Sequence, residues 1–179
     1  MIVEQETETM VDLMRIKAEN LYEARRFCCS ESILLVVNNS FNGGLSEEAA
    51  LGLADGFCGG MGGAGCVCGA LSSSIMALGL ILSPHRRDGL SRNEFKELCK
   101  KMHDRFQEKF GSTCCRVLVQ DVIDDRKGRR QFCGNLTGGA AVLVGELLFE
   151  ARPALRDTVD VGYLRSLDTK LAGLVKKLF

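Results

Sequence analysis

Nine cysteines are the residues of this chain whose side chains are best suited to chemistry. Cys58, Cys66 and Cys68 share the glycine-rich segment 56–70, GFCGGMGGAGCVCGA, and the others stand outside it: Cys28, Cys29, Cys99, Cys114, Cys115 and Cys133. Thiolates bind soft metal ions and act as nucleophiles in disulfide exchange. The glycines of this segment either hold a phosphate group or make room around sulfur, and the rest of the sequence distinguishes the two.

The phosphate interpretation rests on a G-x-G-x-x-G pattern at residues 60–65. A dinucleotide-binding loop must follow a strand, but residues 46–57 predict a helix, because Ser46 is a good N-cap followed by two acidic residues. No Gly-Lys-Ser/Thr follows, as a P-loop requires. No Lys or Arg lies between Arg26 and Arg86 to meet a phosphate. The sequence therefore predicts no nucleotide.

A sulfur site makes a different use of the same glycines. Glycine adopts positive φ without strain, so the backbone can approach a bulky group and point N–H groups at sulfur. We expect positive φ and such a close backbone approach at Gly59, Gly60, Gly62, Gly63 and Gly65. Cys68 falls at the start of one predicted helix and Cys133 just before another, and free N–H groups there lower a thiol pKa. The alternative for any single cysteine is a small buried apolar residue.

Helical periodicity and helix-end signals organise the chain. Residues 6–26 carry one apolar face, and an S-x-x-E capping box at Ser91 begins the clearest helix, which ends at Gly111. Further helices are predicted over residues 46–57, 68–83, 135–151 and 158–178, with a short helical piece over 115–119. Residues 30–41 are also predicted to be helical, although their composition would suit a strand. The charged segment DDRKGRR is predicted to be a turn, with the break at Gly128. No period-two strand alternation is convincing. We predict an all-α fold of about seven helices in a single compact domain, residues 1–179.

Composition limits the classes of function. The formal charges balance at zero and the sequence pI is near 6.7, which gives no global attraction to nucleic acid or to an anionic membrane. The uncharged run 56–83 is long enough for a membrane span, but its glycines and serines lower its hydropathy, so we expect no transmembrane helix. The acidic N-terminus does not resemble a signal peptide. We expect a cytoplasmic protein whose cysteines serve packing, metal binding or catalysis and not a disulfide framework.

The spacing of the cysteines excludes the local motifs. There is no C-x-x-C and no C-x-x-C-H, so a zinc ribbon, a common ferredoxin site and haem attachment are absent from the pattern. If the cysteines gather, the fold must bring them together. Adjacent cysteines make poor disulfides, because neighbouring Cα atoms are about 3.8 Å apart and a relaxed bridge needs about 4.4 to 6.8 Å. We expect one member of each adjacent pair to face a site and the other to face the core.

The ordered motifs CSESI, GFCGGMGGAGCVCGALSSSIMALGL, FGSTCCRVL and a final cysteine resemble the redox-active family named C-GCAxxG-C-C after its cysteine pattern. On that pattern the signature cysteines are Cys29, Cys68, Cys115 and Cys133. The resemblance covers about residues 17–150, which leaves an N-terminal helix 1–16 and a C-terminal helix 154–179 outside it. One departure is Ser73, which stands where the family has glycine, and its hydroxyl is expected to alter packing there.

The resemblance implies a helical domain with redox activity, and related domains are associated with an iron–sulfur centre. Because the four signature cysteines match one ligand set, we expect an iron–sulfur centre for electron transfer ahead of reversible thiol/disulfide chemistry, with zinc as the alternative metal and no haem. We expect the backbone of Gly65 and Gly69 to help hold the cofactor. The chain is then an oxidoreductase or electron-transfer component; the rival is a structural zinc or purely packed helical interaction module.

Three further features bear on partners. His85 and His103 are far apart and expected to be solvated, which gives a Cys–His nucleophile pair little support. Residues 86–130 hold thirteen Lys or Arg against eight Asp or Glu. Such a run is usually a solvated face, but close to Cys133 it would suit docking of an acidic redox partner protein. The amphipathic terminal helices suggest a homodimer.

Overall fold

A computed structural model describes residues 2–166; the rest of the predicted C-terminal helix, residues 167–179, lies outside the described part. Within residues 2–166 all regular structure is helical, which confirms the all-α prediction. The α-helices are α1 (Ile2–Glu23), α2 (Cys29–Ser40), α3 (Glu47–Ala54), α4 (Gly69–Leu82), α5 (Arg92–Phe110), α6 (Cys115–Leu118), α7 (Arg126–Ala151) and α8 (Val161–Arg165). Short 3₁₀ helices span Asp55–Phe57, Gln120–Val122 and Pro153–Thr158.

Local capping signals account for the helix ends that the sequence predicted well. Ser46 caps α3, because its hydroxyl accepts a hydrogen bond from the Ala49 amide at 3.1 Å. Ser91 and Glu94 form a reciprocal capping box at the start of α5, with the Ser91 amide donating to the Glu94 carboxylate at 2.9 Å. α5 ends at Gly111, whose φ of 81° is the left-handed conformation typical of a helix stop.

The charged segment before Cys133 is helical, so the predicted turn at Gly128 is wrong. α7 begins at Arg126, because the Asp125 carboxylate accepts a hydrogen bond from the Lys127 amide at 3.0 Å and caps the helix. Gly128 does not interrupt the helix. It leaves room for the capping carboxylate, because a Cβ at this position would lie 2.4 Å from Asp125 Oδ2. Cys133 therefore lies two turns inside α7 and not just before its first turn.

The C-terminal end of the described chain also differs from the prediction. At the N-terminal end α1 is one continuous helix, Ile2–Glu23. At the other end the chain forms the 3₁₀ helix Pro153–Thr158 and then the five-residue α8, where one helix from residue 158 was predicted. Asp160 caps α8 by accepting from the Tyr163 amide at 2.8 Å, which explains why a new helix begins at residue 161.

α7 is the central helix of the fold. It packs against α1, α2, α4 and α5, and its middle residues Val144, Leu147 and Leu148 are completely buried. By length and composition alone α7 could cross a membrane, but 72% of its most apolar 18-residue stretch is buried inside the fold. That burial is typical of the core helix of a globular domain.

α1 lies close against α7 at Gly145, where a larger residue would require the facing side chains to move. A Cβ at Gly145 would lie 2.9 Å from Met14 Sδ and 3.1 Å from Val11 Cγ1. The apolar face of α1, which includes Val11, Met14, Ala18 and Leu21, is buried in this contact. The apolar face that suggested a homodimer is therefore covered within one chain at α1, and the homodimer stays a prediction.

Ser73 lies in the buried face of α4 next to Ser74, and the two hydroxyls differ in their partners. Both residues are fully buried. Ser74 Oγ donates to the Ala70 carbonyl at 2.8 Å, whereas Ser73 Oγ has no hydrogen-bond partner among the described residues. Burying a hydroxyl without a partner costs about 1–3 kcal/mol. A glycine at this position, as in the family pattern, would avoid that cost.

We therefore expect Ser73→Ala to raise the free energy of unfolding by about 1 kcal/mol, because it removes an unsatisfied hydroxyl and restores a better helix former. Urea denaturation followed by circular dichroism measures the change. Ser74→Ala is the matched control and should leave stability unchanged or lower it, since it removes a satisfied hydroxyl. A Ser73→Ala variant no more stable than Ser74→Ala would contradict this account.

Candidate cysteine site

Three of the four predicted site cysteines lie at helix starts. Cys29 is the first residue of α2, Cys68 is the N-cap of α4 and Cys115 is the first residue of α6. Cys133 approaches them from inside α7. Four separate segments of the chain therefore supply one cysteine each.

The fold brings these four cysteines together. The Cys29 thiol interacts electrostatically with the thiols of Cys115 and Cys133, and the Cys68 thiol with those of Cys29 and Cys115. Cys133 in turn interacts with Cys115. These interactions place the four thiols in one region, although no three of their sulfurs belong to a group of ligand atoms that all lie within 4.8 Å of one another in the described part of the chain. We call this group, Cys29, Cys68, Cys115 and Cys133, the cysteine cluster.

The glycine-rich loop before α4 packs directly on the segment that carries Cys115. A Cβ at Gly60 would lie 2.8 Å from Cys115 Cβ, so only glycine fits there. Two backbone hydrogen bonds join the segments, from Arg116 N to Gly65 O and from Cys68 N to Thr113 O, both 2.8 Å long. The loop connects helices, and its five predicted glycines all have positive φ, as expected: Gly59, Gly60, Gly62, Gly63 and Gly65.

Gly65 and Gly69, the glycines predicted to hold a cofactor, occupy different positions relative to the cluster. A Cβ at Gly69 would lie 2.9 Å from Cys29 Sγ and 2.6 Å from the Phe57 carbonyl oxygen, so this glycine gives the cluster its space. Gly65 N donates to Gly60 O at 2.9 Å, and Gly65 O accepts from Arg116 N. Both backbone groups of Gly65 are therefore engaged within the loop.

The thiol pKa values of the cluster are raised, which reverses the expectation from helix starts. Burial, followed by the nearby Cys29 thiol, raises the pKa of Cys68 to about 12, although the amides of Ala70 and Leu71 act to lower it. Burial, followed by Cys133 and Cys115, raises the pKa of Cys29 to about 11. Burial also raises the pKa of Cys133. Desolvation and the neighbouring thiols outweigh the helix-end amides in the metal-free protein.

Tyr22 and Arg129 belong to the site but were missed by sequence reasoning. The Tyr22 hydroxyl acts on the Cys133 thiol as a hydrogen-bond donor does and lowers the pKa of that thiol, while burial and Cys133 raise the pKa of Tyr22 itself. The positive charge of Arg129 acts to lower the thiol pKa values of Cys115 and Cys133. Arg129 precedes Cys133 by four residues, so a correct helix prediction would have placed them on one face. Nothing in the sequence marks Tyr22.

A cavity of about 560 Å³ opens beside the cluster. Cys29, Cys115 and Cys133 line it, and Cys68 does not. Its remaining walls include Tyr22, Cys28 and the backbone of Gly59, together with five cationic side chains: Arg25, Arg126, Lys127, Arg129 and Arg130. No carboxylate is among these lining residues. The cavity thus combines thiols with a concentrated positive charge.

Four of the remaining cysteines pair with one another and the fifth stands apart. Cys28 and Cys58 form a disulfide with a Cα–Cα distance of 5.9 Å, and the Cys66 and Cys114 thiols interact with each other. Cys28 and Cys114 therefore contact other cysteines near the cluster, and the expectation that they would face the core is wrong. The sequence favoured packing, metal binding or catalysis over a disulfide framework, and the described residues hold one disulfide, between Cys28 and Cys58. Cys99 is a free, half-buried thiol on α5.

Cys28, Glu31 and Cys58 form a group that could hold a metal ion, since their ligand atoms all lie within 4.8 Å of one another. The Glu31 carboxylate already accepts a hydrogen bond from the Cys28 amide at 2.7 Å. The two sulfurs are bonded to each other, and a metal would require both as thiolates. Metal binding and the disulfide are therefore mutually exclusive at this group.

Both histidines are exposed, and neither lines the cavity. His103 Nδ1 lies 3.0 Å from an Asp104 carboxylate oxygen on α5, and His85 follows the end of α4. This is the solvated environment that the sequence predicted for each. The cluster has no histidine beside it among the lining residues, so its reactive groups are sulfur, a phenol and guanidinium groups.

The fold and the site define a class of protein, an all-α domain built around a buried group of cysteines. The model of one protein family, described as "Putative redox-active protein (C_GCAxxG_C_C)", matches residues 27–147. The chain belongs to this family, as its cysteine motifs predicted. No curated protein and no solved structure matches the chain.

The raised thiol pKa values predict how stability depends on pH. Unfolded thiols ionise near pH 9 and those of Cys29 and Cys68 at about 11 and 12 in the fold. Below pH 9 these thiols are protonated in both states, so the free energy of unfolding of the metal-free, reduced protein should not depend on them. As the pH rises from 9 toward 12, that free energy should fall by at most about 1.4 kcal/mol per pH unit for each thiol, because the unfolded thiols ionise first. Urea unfolding across this range measures the loss. A Cys29→Ala/Cys68→Ala variant with the same pH dependence would contradict the assignment.

Tyr22→Phe tests the hydrogen bond to Cys133. Without the phenol hydroxyl the pKa of Cys133 should rise further, so its alkylation by iodoacetamide at neutral pH should slow roughly tenfold in the metal-free protein. Peptide mass spectrometry reports each cysteine separately. Cys99 in the same variant is the internal control and should react at its wild-type rate, and equal rates at Cys133 in both proteins would refute the hydrogen bond.

Proposed function

We propose that Cys29, Cys68, Cys115 and Cys133 bind an iron–sulfur cluster and that the protein transfers electrons. The observation that supports this most directly is that four thiols from four separate segments come to one region, two of them buried and two half-buried. Four thiolates form a complete ligand set for an iron–sulfur cluster.

The residues present fit such a group. The ligand atoms are all sulfur, and the absence of a Cβ at Gly69 leaves room against Cys29 Sγ. A bound cation offsets the mutual repulsion and the burial that raise the thiol pKa values in the metal-free protein. Tetrahedral zinc would accept the same four ligands. The redox-active description of the family favours iron–sulfur over zinc.

An iron–sulfur cluster would supply one-electron transfer at a potential set by the charges, hydrogen bonds and solvent exposure around it. The chain's own residues provide these controls. The Tyr22 hydroxyl donates to Cys133 Sγ, and Arg129 places a positive charge beside Cys115 and Cys133. Both stabilise negative charge on sulfur and hence the reduced form. Burial of Cys68 and Cys115 limits contact with water.

The cations around the cavity also support the proposed partner, an acidic redox protein. Arg126, Lys127, Arg129 and Arg130 stand together on the first turns of α7, beside the cluster. Electron transfer needs brief, oriented encounters, and complementary charge speeds and orients such encounters. We further propose that the protein works in the reducing cytoplasm, where the free thiols would persist. We also propose that two copies of the chain associate as a homodimer.

Reversible thiol/disulfide chemistry is the second candidate. The disulfide between Cys28 and Cys58 supports it, since Cys28 is the chain neighbour of the cluster residue Cys29 and lines the same cavity. In this version the cluster cysteines act as exchanging thiols without metal. An oxidoreductase of this kind would be an enzyme, whereas the iron–sulfur version is an electron carrier.

Anaerobic purification tests the leading proposal. The wild-type protein should be brown and contain iron and acid-labile sulfide, whereas Cys68→Ser should lose the colour and the iron because it removes one ligand from a complete set. Cys99→Ser is the matched control, since Cys99 lies on α5 away from the cluster, and it should keep both. Metal analysis and visible absorbance measure the outcome.

Other outcomes distinguish the alternatives. One zinc per chain without sulfide, lost in Cys68→Ser, would indicate a structural metal site. No metal, together with a change in free thiols on mild oxidation, would indicate dithiol chemistry. No metal and inert thiols would leave a packed helical interaction module. Equal effects of Cys68→Ser and Cys99→Ser on bound metal would reject the ligand assignment.

A further inference from the structure

The disulfide between Cys28 and Cys58 faces the cationic cavity. Cys28 is the N-cap of α2 and lines the cavity, whereas Cys58 lies at the end of the 3₁₀ helix Asp55–Phe57, outside the lining. Both cysteines are only partly buried. A molecule in the cavity can therefore contact Cys28, whereas Cys58 is not among the residues that line it.

Ser30 places a buried hydroxyl against both sulfurs of this bond. Ser30 is fully buried, and its Oγ lies 3.0 Å from Cys28 Sγ and 3.5 Å from Cys58 Sγ. A hydroxyl buried at this position can donate a hydrogen bond to whichever sulfur becomes negatively charged. A disulfide with only a structural role does not require such a donor.

The cavity in front of Cys28 selects for negative charge. Its five cationic side chains, Arg25, Arg126, Lys127, Arg129 and Arg130, form no ion pair with a carboxylate in the described part of the chain. The positive charge is therefore available to a molecule that enters the cavity. Two carboxylates lie on the disulfide side: a Glu31 oxygen is within 4.8 Å of both sulfurs, and Asp55 Oδ1 is 3.9 Å from Cys58 Sγ.

From these observations we propose that the Cys28–Cys58 disulfide is redox-active and is reduced by small anionic thiols that bind in the cationic cavity. The cavity volume of about 560 Å³ suits a small molecule carrying carboxylates, and guanidinium groups pair with carboxylates through two hydrogen bonds. The inference does not rest on the iron–sulfur proposal, because Cys28 and Cys58 are outside the cysteine cluster.

The reduction balances as two thiol–disulfide exchanges. The thiolate of the first small molecule attacks Cys28 Sγ, a mixed disulfide forms at Cys28, and Cys58 leaves as a thiolate that Ser30 stabilises. A second small-molecule thiolate attacks the outer sulfur of the mixed disulfide and releases Cys28 as a thiolate. Two thiols are oxidised to one small-molecule disulfide, two electrons pass to the protein, and Cys28 and Cys58 each take up a proton.

Three thiols of different charge test the selectivity: mercaptosuccinate with two carboxylates, neutral 2-mercaptoethanol, and cysteamine with an ammonium group. The oxidised full-length protein is reduced by each, the two new thiols are trapped by alkylation, and mass spectrometry follows the peptides of Cys28 and Cys58. Rates are compared per concentration of thiolate, because the three thiols ionise differently. We expect mercaptosuccinate to react at least about tenfold faster than cysteamine, with 2-mercaptoethanol between them, and the difference to shrink at high salt.

Charge variants connect the selectivity to the cavity. Arg25→Gln and Arg130→Gln should slow mercaptosuccinate severalfold and leave 2-mercaptoethanol nearly unchanged, because each removes one cation from the lining. Arg92→Gln is the matched control, since Arg92 is an exposed arginine at the start of α5 and is not part of the cavity. Ser30→Ala should slow all three thiols alike, and its circular dichroism spectrum checks that it folds.

Several results would overturn the proposal. One is nine reactive thiols in the unfolded, aerobically prepared protein in place of seven, which would mean that the disulfide does not form. Another is equal rates per thiolate for the three reagents, or equal losses in Arg130→Gln and Arg92→Gln. Cys58→Ser separates this proposal from the iron–sulfur one: it should abolish the exchange and keep any bound iron, and loss of iron would assign Cys58 to the cluster instead.

Discussion

The site depends on the gathering of four thiols beside one cavity, two of them buried and two half-buried. Burial and mutual proximity raise the pKa values of Cys29 and Cys68 to about 11 and 12, so the gathered cysteines are neutral thiols in the metal-free protein at ordinary pH. A group of this kind is stable either protonated or bound to a cation. This constraint makes the site a natural place for metal or redox chemistry and explains why helix-start amides alone do not decide its ionisation.

Close backbone approach makes the crowding possible. Gly60 and Gly69 let the loop and the start of α4 reach Cys115 and Cys29 at distances that a Cβ would block. Gly145 does the same farther along α7, where it brings α1 against the central helix. That second contact matters for the site, because α1 carries Tyr22 to Cys133 on α7. Glycine therefore acts in this fold mainly by leaving space.

Positive charge and sulfur occupy the same cavity for a structural reason. The first turns of α7 carry the cations and its next turn carries Cys133, so one helix delivers both. The disulfide on the opposite wall comes from the junction that precedes α2, where Cys28 caps the helix and Cys29 begins it. In each adjacent pair one cysteine belongs to the cluster and the other contacts a cysteine outside it. Cys28 is bonded to Cys58, and Cys114 interacts with Cys66.

The sequence by itself determined the helical class, most helix ends and the four cysteines of the family pattern, because capping residues, glycine stops and motif spacing are local signals. It failed where a local signal had two meanings: Gly128 was interpreted as a break, although it makes room for the Asp125 cap of α7. Only the tertiary structure decided that Tyr22 and Arg129 adjoin the thiols, that Cys28 pairs with Cys58, and that burial raises the thiol pKa values. Those properties depend on contacts between segments distant in the chain and on the loss of water around them, and no local spacing encodes either.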